Sequence, residues 1–150
     1  MAHTFTNLLT HIVFSTKERR PTITENIKPR LLAYMGGIVR ELKSTPIIIN
    51  GVADHVHLLI ALSPTVAVSE MLRVTKANSS RFAHETWPDQ SAFGWQTGYG
   101  AFSVSRSNRD NVVQYIENQE QHHRKISFKD EYLALLRKHE IEFDERFVLD

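Results

Sequence analysis

Residues 46–52 and 55–62 are two strand-sized apolar runs separated by only Ala53 and Asp54. Two residues cannot carry a crossover, so the runs are expected to pair as an antiparallel hairpin. The flanks of that hairpin limit the topology further. Ahead of it, Ile27, Leu31, Tyr34, Ile38 and Leu42 recur at three- and four-residue steps, which predicts a helix capped by Asn26 with Pro29 in its first turn. Behind it, Val68, Met71, Leu72, Thr75, Phe82 and Ala83 predict a second helix over about 68–85, stopped before Pro88. Residues 8–15 and 98–104 supply a strand before the first helix and another after the second. A third helix is expected over about 109–125, and a fourth begins at Ser127, with Asp130 three residues on. The order β-α-β-β-α-β is the ferredoxin-like split βαβ pattern of the α+β class, an antiparallel sheet with two helices on one face. A helix following the last strand is then free to cover the other face. No repeat or flexible linker interrupts the pattern, so residues 1–150 read as one domain.

Composition narrows the chemistry. There is no cysteine, which removes disulfides, thiolate metal sites and cysteine nucleophiles and fits a reducing cytosol. No apolar run approaches membrane-spanning length, and the first residues lack a secretory signal pattern. The formal charge of +1 conceals an asymmetry. Residues 1–109 hold 12 Lys and Arg against 7 Asp and Glu, whereas residues 110–150 hold 6 against 10. A basic body with an acidic tail permits a polyanionic partner.

The most pointed segment is Asp54-His55-Val56-His57-Leu58-Leu59-Ile60. Alternate strand residues share a face, so His55 and His57 project together, roughly 6.5–7 Å apart at Cα. Two imidazoles on one rigid strand suit a divalent cation; the plainer alternative is a pair of exposed histidines with no ligand. Tyr115, Gln119 and His122 stand at i, i+4 and i+7 on one face of the third helix. Gln119 offers a carbonyl oxygen suited to magnesium or manganese, and Tyr115 would place its phenol one turn away. A tyrosine is only ~0.1% ionised at neutral pH, so its attack on a phosphodiester needs a Lewis acid and in-line positioning. A phosphotyrosine product would conserve the energy of the broken bond. Consistently, the glycines at 94, 98 and 100 form no nucleotide-binding fingerprint.

These residues, His55-Val56-His57 followed by Tyr115 and Gln119, resemble the HUH-type single-tyrosine transposases of the Insertion Sequence 200/605 family. The likeness extends from Leu9-Thr10-His11-Ile12-Val13-Phe14-Ser15-Thr16-Lys17 through Asn50-Gly51-Val52-Ala53-Asp54 and Gly98-Tyr99-Gly100-Ala101-Phe102 to Gln121-His122-His123. The resemblance implies cleavage and rejoining of single-stranded DNA at the ends of a mobile element, in the prokaryotic cytosol at the nucleoid. It implies Tyr115 as nucleophile, linked to a 5′ phosphate, and His55, His57 and Gln119 as ligands of magnesium or manganese. It also implies a homodimer that recognises DNA hairpins. His122 is a candidate DNA contact or a substitute ligand. Lys17, Arg19 and Arg20 after the first strand, and Arg73, Lys76 and Arg81 on the second helix, are candidate phosphate contacts. Trp95, Tyr99 and Phe102 are candidates for stacking on bases, or core residues. Three alternatives stay open: a domesticated endonuclease for repeated palindromes, a metal-dependent nuclease using water, and a non-catalytic nucleic-acid-binding module. Against the last, no aromatic RNP motif is present.

Overall fold

Strand alternation sorts the chain into layers. In the computed structural model, which describes residues 3–150, Leu9–Ser15 forms β1, Lys28–Glu41 α1, Thr45–Val52 β2, His55–Ala61 β3, Val68–Thr86 α2 and Gly100–Ser103 β4. Arg109–Glu117 (α3), Gln119–His122 (α4) and Phe128–Lys138 (α5) follow. Met1 and Ala2, which head the stretch read for a targeting signal, lie outside the described residues. The sheet runs β2-β3-β1-β4 with every pairing antiparallel. That is the expected split βαβ, ferredoxin-like arrangement, because β3 separates β1 from β2 and β1 separates β3 from β4. No helix among the described residues is long and apolar enough to cross a membrane.

On one face Ile12, Phe14, Val56, Leu58 and Ile60 meet Leu31, Met35 and Val39 of α1 and Met71, Leu72 and Ala83 of α2. The other face carries Leu9, His11, Val13, His55, His57 and Leu59, placed side by side by the pairs Val13↔His57 and His11↔Leu59. Here α3 packs Ile116 on Leu9 and Leu59, and α5 packs Phe128, Tyr132 and Leu136 on Val13 and Phe102. The sheet is thus covered on both faces, and the histidines lie beneath the second layer.

Three details depart from the sequence reading. Asn26 does not cap α1: the position before the helix is Ile27, already helical, and the amides of Ile27 and Lys28 bond the Thr24 carbonyl instead. Pro29 does occupy the first turn. The expected continuous helix over 109–125 is broken at Asn118, where Asn50 of β2 donates to the carbonyls of Ile116 at 2.8 Å and Glu117 at 3.3 Å. A strand side chain thereby takes acceptors that the next helical turn would have used. Phe102 is spent on the core under α5 and cannot stack on a base. The fourth helix begins as expected, with Ser127 Oγ accepting from the Asp130 amide at 3.1 Å.

Lys76 turns inward from α2. Its ammonium donates to the carbonyls of Gln96 (3.0 Å), Thr97 (3.2 Å) and Gly98 (2.6 Å) and lies over the rings of Phe14 and Tyr99. It ties the segment leading into β4 to the helix layer. Lys76→Met keeps the stem but strands three carbonyls, and should cost about 1.5–3 kcal/mol in denaturant unfolding with little change in m-value. Asn50→Ala should cost about 1–2 kcal/mol in the same measurement, by leaving two helix-end carbonyls without their donor.

Candidate active site

The second layer closes over five imidazoles, one carboxylate, one amide and one phenol. His55, His57 and Gln119 are fully buried, and Glu131 of α5 is 2% exposed. The plainer reading of His55 and His57 as solvent-exposed strand histidines is therefore ruled out by burial. Each is held from behind. His55 Nδ1 donates to Asp54 Oδ1 at 2.7 Å, and His57 Nδ1 lies 2.9 Å from Nε2 of His11, its diagonal neighbour across the β1–β3 ladder. Such outer partners fix ring orientation, and Asp54, which can only accept, also fixes the His55 tautomer.

Their Nε2 atoms turn toward one point. Gln119 Oε1 is 3.2 Å from His55 Nε2, while the Gln119 amide nitrogen donates to Glu131 Oε2 (3.2 Å) and the Tyr115 carbonyl (3.3 Å). Those two acceptors settle which end of the amide faces the histidine. The Glu131 carboxylate occupies the centre of the group. Its Oε1 lies 3.0 Å from Nε2 of His57 and of His123 and 3.3 Å from that of His55, and its Oε2 accepts the Tyr115 hydroxyl. Nε2 of His122 is 3.3 Å from Glu131 Oε2 but makes no hydrogen bond, a buried polar atom left without a partner.

The residues fit a metal ion. Ligand atoms of His55, His57, His123 and Glu131 all lie within 4.8 Å of one another. With its Nδ1 proton committed to Asp54, neutral His55 presents a bare nitrogen to the Gln119 carbonyl oxygen, acceptor against acceptor, and only a cation or an added proton relieves that contact. The site's electrostatics reflect the same crowding. Burial opposes charge on His55, yet hydrogen bonds to Asp54 and Glu131 outweigh it and hold its pKa at about 9. Burial pushes His11 down to about 3 and lowers His57. Burial also works against ionised Glu131, but hydrogen bonds from His123, His55 and His57 hold it well below the usual carboxylate range. Burial, then the charge of Glu131, raises the Tyr115 phenol far above its ordinary value. The phenol thus needs a compensating positive charge before it can act as an oxyanion.

Tyr115, Gln119 and His122 do converge, although from two short helices, and the Tyr115 and His122 rings lie 5.4 Å apart. Tyr115 opens on a cleft of about 690 Å³ shared with Asn118, Gln121, His122, Arg124 and Lys125, and on a smaller cavity of about 350 Å³ lined by His11, Asn108, Asn111 and Lys138. A third cleft, about 730 Å³, runs past Asp54 and His123 to Arg19, Lys28 and Arg124. Of the basic candidates, Arg19 therefore borders the site. Lys17 and Arg20 are exposed, Lys17 on a separate cleft with Trp95 and Gln96, and Arg20 is paired with Glu18. Arg73, Lys76 and Arg81 belong to α2, on the opposite face of the sheet. There Arg73 is paired with Glu70, Arg81 bonds Asn78, and Lys76 is the internal tie described above. Trp95 is partly buried, its indole N–H on Ser79. His11, Asp54, His123 and Glu131 escaped the sequence reading. Glu131 did leave a signal: it is a lone acid on the stripe formed by Phe128, Tyr132 and Leu135.

The comparisons with known proteins agree with this geometry. The family model described as "Transposase IS200 like" matches residues 4–119. The transposase for insertion sequence element IS200 of Salmonella typhimurium is 31% identical over 128 residues, covering 79% of this chain and 81% of that protein. The ISDra2 transposase TnpA of Deinococcus radiodurans is 25% identical over 114 residues, covering 73% and 81%. Two solved structures share the fold. A candidate transposase from Deinococcus radiodurans matches with a TM-score of 0.61 at 24% identity, over 79% of this chain and 95% of its own. A REP-associated tyrosine transposase bound to a REP hairpin matches with a TM-score of 0.59 at 14% identity, over 82% and 72%. With its family model spanning most of the chain and its HUH strand facing the tyrosine helix, this protein belongs to the IS200-like transposases.

Proposed function

We propose that this transposase cleaves and rejoins single-stranded DNA through a covalent 5′-phosphotyrosine at Tyr115, aided by a magnesium or manganese ion. One observation carries the reading: the Tyr115 hydroxyl enters the same buried centre on which His55, His57 and Gln119 converge. In this reading residues 1–150 act as one catalytic domain, and His55 and His57 hold the ion through Nε2 with Gln119 through Oε1. When bound, the ion supplies Lewis acidity at the scissile phosphate and lowers the cost of a phenolate.

The chain's own residues do the rest. Asp54 holds His55 in the tautomer whose Nε2 is free, His11 holds the His57 ring from behind, and the α3–α4 break sets Tyr115 and Gln119 against β3. Tyr115 Oη forms a bond to phosphorus as the bond from phosphorus to the 3′ oxygen breaks, and the phenolic proton ends on the departing 3′ oxygen. The reverse attack by a 3′ hydroxyl restores the diester and frees Tyr115. No external energy source is needed, because one phosphodiester replaces another. Arg19, Lys28 and Arg124 along one cleft, and Lys125 beside Tyr115, line a phosphate path to the nucleophile. Lys17, Arg20 and His122 extend it. Arg73 and Arg81, on the far face, suit contacts with DNA outside the cleavage site. The hairpin bound by the REP-associated neighbour supports a hairpin partner. A homodimer at the nucleoid completes the reading.

Incubation with end-labelled single-stranded hairpin DNA and manganese should yield a denaturation-resistant protein–DNA adduct. Tyr115→Phe should form none while remaining folded; cleavage by this variant at the wild-type rate would assign the chemistry to water. Asp54→Asn should slow adduct formation at limiting manganese by about 10–100-fold, the usual cost of losing a partner behind a metal-binding histidine.

A further inference from the structure

We propose that Glu131 is itself a ligand of the divalent ion, so that a carboxylate from α5 joins His55, His57 and Gln119 in holding it. This rests on the metal-dependent reading of the site and adds to it a residue beyond position 119, where the family match ends.

The two oxygens of Glu131 have different surroundings. Oε2 is supplied with donors, the Tyr115 hydroxyl and the Gln119 amide. Oε1 faces only imidazole nitrogens, Nε2 of His55, His57 and His123, at 3.0–3.3 Å. For two of those rings the other nitrogen is already a donor. His55 Nδ1 bonds the Asp54 carboxylate and His123 Nδ1 bonds the Ile126 carbonyl at 2.8 Å, both partners that can only accept. In their neutral forms both rings therefore aim lone pairs at an anionic oxygen. A divalent cation bound among them turns that opposition into coordination.

Charge balance points the same way. Glu131 is almost fully buried, and among the described residues its ion-pair partners are all histidines, with no Lys or Arg. A buried carboxylate needs a counter-charge, and a cation shared with these imidazoles supplies it. Its place in the fold is prepared as well. Glu131 lies in the first turn of α5, where the capped helix N-terminus favours an anion, and Phe128, Tyr132 and Leu136 anchor that turn on the sheet. Two imidazoles and a carboxylate suit manganese better than magnesium, which prefers an all-oxygen shell.

The test uses the full chain without DNA and follows free manganese by its paramagnetic resonance signal during titration. Wild type should bind one ion per chain and gain melting temperature on binding. Glu131→Gln, which preserves shape and removes the charge, should weaken binding by at least about tenfold and lose most of that gain. A second measurement needs no variant. Wild-type chain carrying carboxyl-13C glutamate should show a 13C hyperfine coupling to the bound manganese, because no other glutamate joins this group. Absence of that coupling, or undiminished binding by a folded Glu131→Gln chain, overturns the proposal while leaving Tyr115 chemistry and the His55–His57 site intact. No manganese binding by wild type overturns both readings.

Discussion

The period of two along β1 and β3 governs the rest of the molecule. It sends Ile12, Phe14, Val56, Leu58 and Ile60 to one side of the sheet, where α1 and α2 bury them, and His11, His55 and His57 to the other. A one-residue slip in the β1–β3 ladder would exchange those sets, driving imidazoles into the apolar core and leucines into the site. Core formation and site formation are thus a single event. The register that satisfies the hydrophobic face is the one that stacks His11 on His57 with ring centroids 5.1 Å apart.

That arrangement leaves a polar face that solvent would otherwise flood, and α3, α4 and α5 resolve it. Their apolar anchors, Ile116 on one side and Phe128, Tyr132 and Leu136 on the other, seal the edges of the histidine group. In the low-dielectric space between them, every hydrogen bond and charge acts more strongly than it would in water. Glu131 is held ionised, the Tyr115 phenol is held protonated, and both conditions favour the arrival of a cation. The site is therefore assembled by packing and poised by electrostatics. Its open sides, the clefts beside Tyr115 and past Asp54, are lined by Arg19, Lys28, Arg124 and Lys125.

Much of the fold was legible because its elements carry strong local periodicity. The hairpin turn at 53–54, the stripe from Ile27 to Leu42 and the Ser127 cap each depend on residues close together in sequence. The errors arose where a distant residue intervened. Asn50 breaks the helix expected over 109–125 by bonding carbonyls that lie 66 and 67 positions away. Lys76, a plausible phosphate contact on an amphipathic helix, is instead consumed by carbonyls twenty residues further on. Phe102, read as a possible stacking platform, is covered by α5.

The sequence by itself determined the order of the elements, the shared face of His55 and His57, and the spacing that joins Tyr115 to Gln119, since each follows from strand and helix periods of two and 3.6. Only the tertiary structure decided that His11 and Asp54 stand behind the two histidines, that His123 turns inward, and that Glu131 reaches their midpoint. Glu131 lies 74 residues from His57 in the chain. Local periodicity carries no information across such a distance. What sets that contact is the docking of α5 on Val13 and Phe102, a match of surfaces that exists only once the sheet has formed.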